Sequence, residues 1–388
     1  MQTSAAGVRL TADIRFYRAS GIGTYLRNLL PGLLAALANS RPASAPPLRV
    51  TLLITEDDRP AIVDALADFT AANGPDALEL IVPQSRPLSL SEQRELPQLL
   101  PTDTDVLWIP HLNIPVRFRG RSRNSAAPAQ LVVTLHDLEM RHLRGGWRKL
   151  AVYLYARLIF PVIRRRARAL LCDSAFTHSE WLRFYGPARP AQILTTIPLG
   201  VEPAFFHAKR GAADRFTPRP YLLYVGNVKP HKNLRRLIEA FLLAQDRLGD
   251  LDLVIAGKMD GLRSADRQIP ALVERGGDRI RLTGRVSQAE LEALYAGAEL
   301  FVFPSLYEGF GLPPIEAMAA STPVAAANIP VVREACQSAA EYFNPRDPAD
   351  IGRALVAVTT NPDRSRELRE AGRKRAAEMN WQRCIDET

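Results

Sequence analysis

Toward the end of the chain the sequence runs Leu300-Phe301-Val302-Phe303-Pro304-Ser305-Leu306-Tyr307-Glu308-Gly309-Phe310-Gly311-Leu312-Pro313-Pro314-Ile315-Glu316. A short apolar run that ends at a proline is typical of a buried strand, and glycines followed by paired prolines are typical of a loop that opens a helix. Glu308 lies at the strand exit and Glu316 in the first helical turn. Each carboxylate accepts two hydroxyl hydrogen bonds, as a ribose requires; the alternative is a tight turn with a helix-stabilising glutamate.

The same strand–helix alternation recurs along the whole chain and predicts two doubly wound α/β domains with parallel sheets. Prolines 198, 203, 218 and 220 mark the break between them, so we expect domains at residues 1–200 and 201–378. The predicted strands are too many for one open sheet; they are Val8–Ala12, Val50–Thr55, Leu78–Val82, Asp105–Pro110, Leu131–Leu135, Ala169–Cys172, Gln192–Ile197, Tyr221–Val225, Leu251–Ala256, Ile280–Thr283, Leu300–Pro304, Pro323–Ala326 and Glu341–Phe343.

Composition excludes several classes of protein. The 388 residues are 47% hydrophobic and 23% charged, as in folded globular proteins, so a mainly disordered chain is excluded. Three scattered cysteines exclude a disulfide scaffold and a zinc knuckle and favour a reducing compartment. The polar first residues do not resemble a secretory leader, and the longest apolar run, 150–163, would span only about 21 Å as a helix. We expect a cytoplasmic protein, and its net charge of +9 favours anionic partners.

A second strand–loop–helix unit carries cations instead of carboxylates. It runs Tyr221-Leu222-Leu223-Tyr224-Val225-Gly226-Asn227-Val228-Lys229-Pro230-His231-Lys232-Asn233-Leu234. Lys229, His231 and Lys232 follow the Gly226 turn and precede a helix N-terminus, which is where a diphosphate binds. A solvated lysine is the alternative for Lys232, and the spacing is not that of a Walker A loop.

The E-x7-E pair inside EGFGLPPIE, together with VGNVKPHKN, resembles the retaining glycosyltransferases of family 4. The resemblance covers almost the whole chain. It implies the GT-B fold, in which two Rossmann-like domains face each other across a cleft. Residues 1–200 would then bind the acceptor and residues 201–378 the nucleotide-sugar, and residues 379–388 would start a helix that returns toward the N-terminal domain.

The resemblance also implies roles for individual residues. Glu316 would bind the donor ribose, and Glu308 would meet the transferred sugar near its anomeric carbon as a catalytic residue. Lys232 matches the diphosphate-binding lysine, whereas Asn227 stands where many members have an arginine, so one cation is either missing or supplied elsewhere in the loop. The other implied donor-binding residues are Gly23, Gly226, Val286, Gly309, Phe310, Gly311 and Leu312, with Gly257 near the base.

The first domain offers glycine and histidine candidates at strand exits. The loop at residues 20–25, which opens a helix, is either a phosphate site or a simple turn. By resemblance, Gly21 and Thr24 would contact the acceptor. His136 follows the strand Leu131–Leu135 and by resemblance is catalytic, with a structural histidine as the alternative. His111 follows another strand; a structural role is favoured over acceptor contact there.

The resemblance, which is strongest to bacterial mannosyltransferase-type members, implies a hexosyltransferase of bacterial surface polysaccharide synthesis. The preferred donor is GDP-mannose, and the acceptor is a glycan or a polyprenyl-diphosphate-linked sugar. No cofactor or metal is expected, because the DxD sequence at residues 103–105 precedes its strand and so lies at the wrong sheet edge. The alternatives are a sugar-nucleotide epimerase or phosphorylase on the same fold, or a nucleic-acid-binding protein, for which no recognition module is present.

The stretch from Arg141 to Arg168 is basic and apolar, and two interpretations stay open. One is a helix packed on the sheet with a solvated basic face. The other is peripheral attachment to an anionic membrane surface, at the inner face of the cytoplasmic membrane. The next predicted helix, 176–184, is preceded by Ser174, which we expect to cap it rather than to line a cleft.

Overall fold

The structure is a computed structural model that describes residues 8–42, 47–122, 127–142, 147–209, 213, 216–258 and 266–388. Its contacts divide the chain into two compact units. The first unit is Met1–Leu199 together with Trp381–Thr388, and the second unit is Gly200–Asn380.

In the described part of the first unit, seven parallel strands form one sheet in the order β3-β2-β1-β4-β5-β6-β7. The strands are β1 Arg9–Asp13, β2 Arg49–Leu53, β3 Leu78–Ile81, β4 Val106–Ile109, β5 Gln130–Leu135, β6 Ala167–Cys172 and β7 Ile193–Thr196. The helices are α1 Ile22–Asn39, α2 Arg59–Ala65, α3 Ala67–Asn73, α4 Glu92–Leu99, α5 Glu139–His142, α6 Trp147–Arg166 and α7 Ala175–Tyr185.

In the described part of the second unit, six parallel strands form a sheet in the order β10-β9-β8-β11-β12-β13. The strands are β8 Tyr221–Val225, β9 Asp252–Ala256, β10 Ile280–Gly284, β11 Leu300–Phe303, β12 Val324–Ala327 and β13 Glu341–Phe343. The helices are α8 Leu234–Ala244, α9 Ile269–Gly276, α10 Gln288–Gly297, α11 Leu312–Ala319, α12 Pro330–Cys336, α13 Pro348–Thr359 and α14 Pro362–Ala377.

The last helix, α15 Trp381–Glu387, belongs to the first unit and packs against α1. A side chain at Gly32 of α1 would place its Cβ 2.3 Å from Ile385 Cδ1, so the Ile385 side chain packs directly over this glycine. The rings of Tyr25 and Trp381 also meet, with centroids 6.4 Å apart.

The predicted α/β class with two doubly wound sheets is confirmed. Each predicted strand is present with ends within two residues of those expected. The central strands β8 and β11 are apolar because helices cover both faces of a parallel sheet, and the whole of β9 and β11 is buried. In helix α8, apolar residues at helical spacing form the buried face.

One prediction needs correction. The basic stretch 141–168 is not one helical segment: Arg141 lies in α5, α6 ends at Arg166, and Arg168 already belongs to β6. Residues 143–146 are outside the described residues. Three consecutive arginines end α6, where the negative end of the helix dipole favours cations.

Gly257 allows the ends of β8 and β9 to come together. A Cβ there would lie 2.3 Å from the Gly226 carbonyl oxygen, and the residue has φ +137°.

We expect Gly257→Ala to lower the free energy of unfolding of the second unit by about 2 kcal/mol or more, from strain and backbone overlap. Urea unfolding of the full chain measures this. The control is Gly277→Ala, because Gly277 also has positive φ but open space around it; equal losses for both variants would contradict the overlap argument.

Candidate functional site

The second unit holds an ion pair at the point where its strand order reverses, between β8 and β11. Lys232 ends a short 3-10 turn after β8, and Glu308 follows β11. Lys232 Nζ donates to both carboxylate oxygens of Glu308, at 2.7 and 2.9 Å. The side chains are only 21% and 13% exposed. In doubly wound sheets this reversal point at the carboxyl ends of the strands is where ligands bind.

Asn233 ties the two loops of the ion pair together. Its backbone is left-handed with φ 59°, a conformation that asparagine tolerates better than most residues. Its buried side-chain amide donates to the carbonyl oxygens of Pro304, at 3.0 Å, and Pro345, at 2.6 Å. The Leu306 amide in turn donates to the His231 carbonyl oxygen at 2.7 Å. Sequence analysis treated Asn233 only as a helix boundary, because its partners lie 71 and 112 residues away.

The glycine loop leads directly from Glu308 into helix α11. Gly309, Phe310 and Gly311 form the loop, and α11 begins at Leu312. Phe310 is buried, and Gly311 has φ 105°, which a residue with a side chain rarely adopts. Pro313 and Pro314 stand at the start of α11 as predicted, where missing amide donors cost nothing.

Glu316 faces a tyrosine that sequence analysis did not single out. Tyr295, fully buried on α10, donates its hydroxyl to Glu316 Oε2 at 2.9 Å. Burial raises the pKa of Glu316 to about 7; the Tyr295 hydrogen bond opposes this rise, and the negative charge of Glu202 adds to it. Nothing in the local pattern around Tyr295 indicates this contact, because it depends on how α10 and α11 pack.

The remaining predicted donor residues of the second unit lie at the ends of neighbouring strands. Gly226 follows β8 and donates its amide to the Ala256 carbonyl oxygen at 2.9 Å. Gly257 follows β9 and donates to the Gly284 carbonyl oxygen at 2.9 Å. Val286 is partly exposed in the loop between β10 and α10. The structure thus brings these residues to the same sheet edge as Lys232.

In the first unit, His111 lies inside a buried polar network. Its Nε2 is 3.2 Å from Asp13 Oδ2, and its Nδ1 accepts the Asn113 amide at 3.1 Å. Arg15 bridges Asp13 and Glu92. Burial alone would raise the pKa of Asp13, but hydrogen bonds and charge from Arg15 and His111 outweigh it and lower that pKa. His111 is therefore engaged internally through both ring nitrogens.

His136 also has both ring nitrogens engaged. Its Nδ1 lies 2.5 Å from Asp173 Oδ2, and its Nε2 lies 3.0 Å from the Pro110 carbonyl oxygen. Burial alone would lower the pKa of His136, but the adjacent Asp173 carboxylate outweighs burial and raises that pKa. Both partners are hydrogen-bond acceptors. The pair joins the ends of β4, β5 and β6.

In the glycine loop of the first unit, Gly21 is exposed and Gly23 is buried. Gly21 has φ 77° and immediately precedes α1. A Cβ at Gly23 would lie 2.5 Å from the Tyr17 carbonyl oxygen, so packing requires glycine there. Thr24 is partly exposed in the first turn of α1.

Two smaller predictions are confirmed. Ser174 caps α7, because its hydroxyl accepts the Thr177 amide at 3.0 Å. Asp103 and Asp105 precede β4 and contact Arg9 at the start of β1, which is the sheet edge opposite the strand exits.

Within the described residues no group of three or more His, Cys, Asp or Glu side chains is arranged to hold a metal ion. No helix there is long and apolar enough to cross a bilayer.

Comparison with known proteins adds an independent observation. Residues 206–375, which include the Lys232–Glu308 pair and Glu316, match the family model described as glycosyl transferases group 1. The chain is thus similar to this family over most of its second unit. Its two Rossmann-like units are those of the GT-B fold, as predicted.

Individual relatives support the match. The chain is 32% identical over 234 residues to O-antigen chain mannosyltransferase B of Escherichia coli, covering 57% of this chain and 59% of that protein. It is 36% identical over 143 residues to O-antigen chain mannosyltransferase RfbU of Salmonella typhimurium, covering 37% and 39%. The chain thus spans about half the length of these curated relatives. The crystal structure of Anabaena HepE with UDP and glucose is similar with a TM-score of 0.70 and 15% identity, covering 98% of each chain.

The raised pKa of Glu316 has a consequence for the stability of the second unit. A carboxyl that holds its proton more tightly when folded destabilises the fold as pH rises from about 4.5 to about 7, and its full cost is present above that range. We expect Glu316→Gln to increase the free energy of unfolding at pH 8 by up to about 3 kcal/mol, and to change it little near pH 4.5. Denaturant unfolding at both pH values measures this.

The matched control is Glu274→Gln, because Glu274 is an exposed glutamate on α9 of the same unit. It should leave stability unchanged at both pH values. A Glu316→Gln variant that gains no stability at pH 8 would show that the buried carboxyl carries no such cost.

Proposed function

We propose that the protein is a retaining glycosyltransferase that transfers a hexose from a nucleotide-sugar to a glycan or lipid-linked acceptor. The observation that carries the proposal is the grouping of Lys232, Glu308 and Glu316 at the reversal point of the second sheet, within the segment that matches the glycosyl transferases group 1 family. A cation for phosphate and carboxylates for sugar hydroxyls at one strand edge suit a nucleoside diphosphate sugar.

Lys232 would bind the diphosphate. Without ligand, its charge is matched by Glu308, so a bound diphosphate would compete with Glu308 for Lys232 Nζ. The amides at the start of α11 add positive potential at the same edge. We propose no metal for this site, because the lysine and these amides supply the charge that the leaving diphosphate needs.

Glu316 would hold the donor ribose. An ionised carboxylate accepts hydrogen bonds from both ribose hydroxyls, whereas a protonated one loses an acceptor position. Since the pKa of Glu316 is about 7, donor affinity would increase as pH rises through that value. Tyr295 would orient the carboxylate by occupying Oε2.

Glu308 would orient the sugar near its anomeric carbon. In the proposed step the bond between that carbon and the diphosphate oxygen breaks, and a bond from an acceptor hydroxyl oxygen forms on the same face. The acceptor proton passes to the departing phosphate. The leaving group gains negative charge in this step, and Lys232 would stabilise it.

The residues of the first unit keep their predicted roles as proposals. His136 would contact the sugar only if its Nε2 exchanges the Pro110 carbonyl oxygen for a ligand oxygen. His111 would contact the acceptor only if its buried network opens. Gly21, Gly23 and Thr24 remain candidates for donor and acceptor contact at the start of α1.

Mannose from GDP-mannose is the favoured transfer, in bacterial surface polysaccharide synthesis at the cytoplasmic side of the membrane. The support is the likeness to two O-antigen chain mannosyltransferases. A thermal-shift screen of GDP-, UDP- and dTDP-sugars tests it: the largest stabilisation should come from GDP-mannose. An epimerase on the same fold would instead convert a UDP-sugar without an acceptor, and a nucleic-acid-binding protein would bind DNA with steep salt dependence.

The ion pair predicts opposite effects for its two members. Lys232→Ala should weaken binding of the favoured nucleoside diphosphate about 10- to 100-fold, because a charge-assisted hydrogen bond is lost. Glu308→Gln should bind it as tightly as the wild type or more tightly, because Lys232 no longer leaves a carboxylate, while sugar transfer falls. Titration calorimetry and a transfer assay measure the two quantities.

Lys374→Ala, an exposed lysine on α14, is the control for general loss of positive charge. It should leave binding unchanged. Equal weakening by Lys232→Ala and Glu308→Gln would show that the pair acts only as structural support for the loops.

A further inference from the structure

Helix α6 exposes a row of large apolar side chains on the surface of the first unit. Trp147, Leu150, Leu154 and Leu158 are 75%, 55%, 50% and 73% exposed. Their spacing of three, four and four residues places them on one helix face. Single exposed leucines are ordinary on protein surfaces, but a contiguous apolar row marks an interaction site.

The opposite face of α6 already supplies the packing that the fold needs. Ala156, Ile159, Phe160 and Ile163 are fully buried in the core of the first unit. Within the described residues the helix is thus apolar on two faces, one buried in the core and one exposed. The helix packs on the sheet as one interpretation expected, but its exposed face carries apolar side chains as well as arginines.

Basic residues accompany the exposed row. The sequence of α6 contains six lysines and arginines and no aspartate or glutamate. Arg157 and Arg165 are exposed, and Arg165 follows Leu158 by seven residues, on the same helix face. The surface therefore combines apolar side chains with positive charge.

We propose that this α6 face docks on the surface of an anionic lipid bilayer. A helix with an apolar row, a tryptophan and flanking arginines lies in the plane of the headgroup region, where leucines enter the acyl boundary and arginines meet lipid phosphates. A second copy of the chain is a poorer partner, because a symmetric contact would bring the same arginines of both copies together. The proposal goes beyond sugar transfer and does not depend on it.

Intrinsic fluorescence reports this contact directly. The chain has four tryptophans, and Trp108, Trp181 and Trp381 are buried, so Trp147 is the one that meets a membrane. With the full chain and no sugar nucleotide, vesicles that contain phosphatidylglycerol should shift Trp147 emission to shorter wavelength. Pure phosphatidylcholine vesicles should not, and raising the salt to about 0.5 M should weaken the binding.

Paired glutamine variants locate the contact. Leu154→Gln with Leu158→Gln should weaken co-sedimentation with anionic vesicles about tenfold or more. Leu243→Gln is the matched control, because Leu243 is 68% exposed on α8 of the second unit; it should bind like the wild type. Thermal unfolding checks that the variants fold.

Three outcomes would overturn the proposal. Equal, negligible binding to both vesicle types would exclude the membrane. Unchanged binding of the double variant would place any membrane contact elsewhere. A wild-type dimer that dissociates in the double variant would identify a second copy as the occupant of the α6 face. None of these outcomes bears on nucleotide binding, so the proposed transferase function stands or falls separately.

Discussion

Parallel strands impose one constraint from which the rest of the structure follows. Two neighbouring parallel strands cannot be joined by a tight turn, so each is followed by a crossover, and all the loops that leave the strands emerge at one sheet edge. Where the strand order reverses, successive crossovers leave in opposite directions, and a crevice forms between their loops at the carboxyl ends of the strands. In the first unit this point lies between β1 and β4, and in the second unit between β8 and β11. Several buried or half-buried ion pairs of this protein lie next to these two points.

At both points the charges are matched within the protein. Lys232 pairs with Glu308, His136 with Asp173, and Arg15 with Asp13 and Glu92. Removing an ion from water costs several kcal/mol unless a partner compensates, so a largely buried charge needs such a partner. The pairs differ in their access to solvent. The Lys232–Glu308 pair keeps part of its surface exposed, as the proposed exchange of partners requires, whereas the Asp13 network is buried.

Glu316 shows how a proposed binding role and stability conflict. Among the described residues Tyr295 donates a hydrogen bond to its carboxyl, but burial outweighs that bond and raises the pKa to about 7. A fold selected for stability alone would place a neutral group there. A carboxylate that lowers stability beside the glycine loop is what we expect of the proposed site, because such a group binds hydroxyl groups.

Local spacing in the sequence was sufficient to predict the strands, the two strand–loop–helix units and the helix cap at Ser174. These features depend on neighbours within a few residues. Contacts between distant segments were decided only by the tertiary structure. Lys232 meets Glu308 across 76 residues and Tyr295 meets Glu316 across two helices. The engagement of both His136 nitrogens likewise depends on three strand ends. The α6 helix shows the same division: its composition is local, but which of its two apolar faces stays exposed depends on which face the sheet covers.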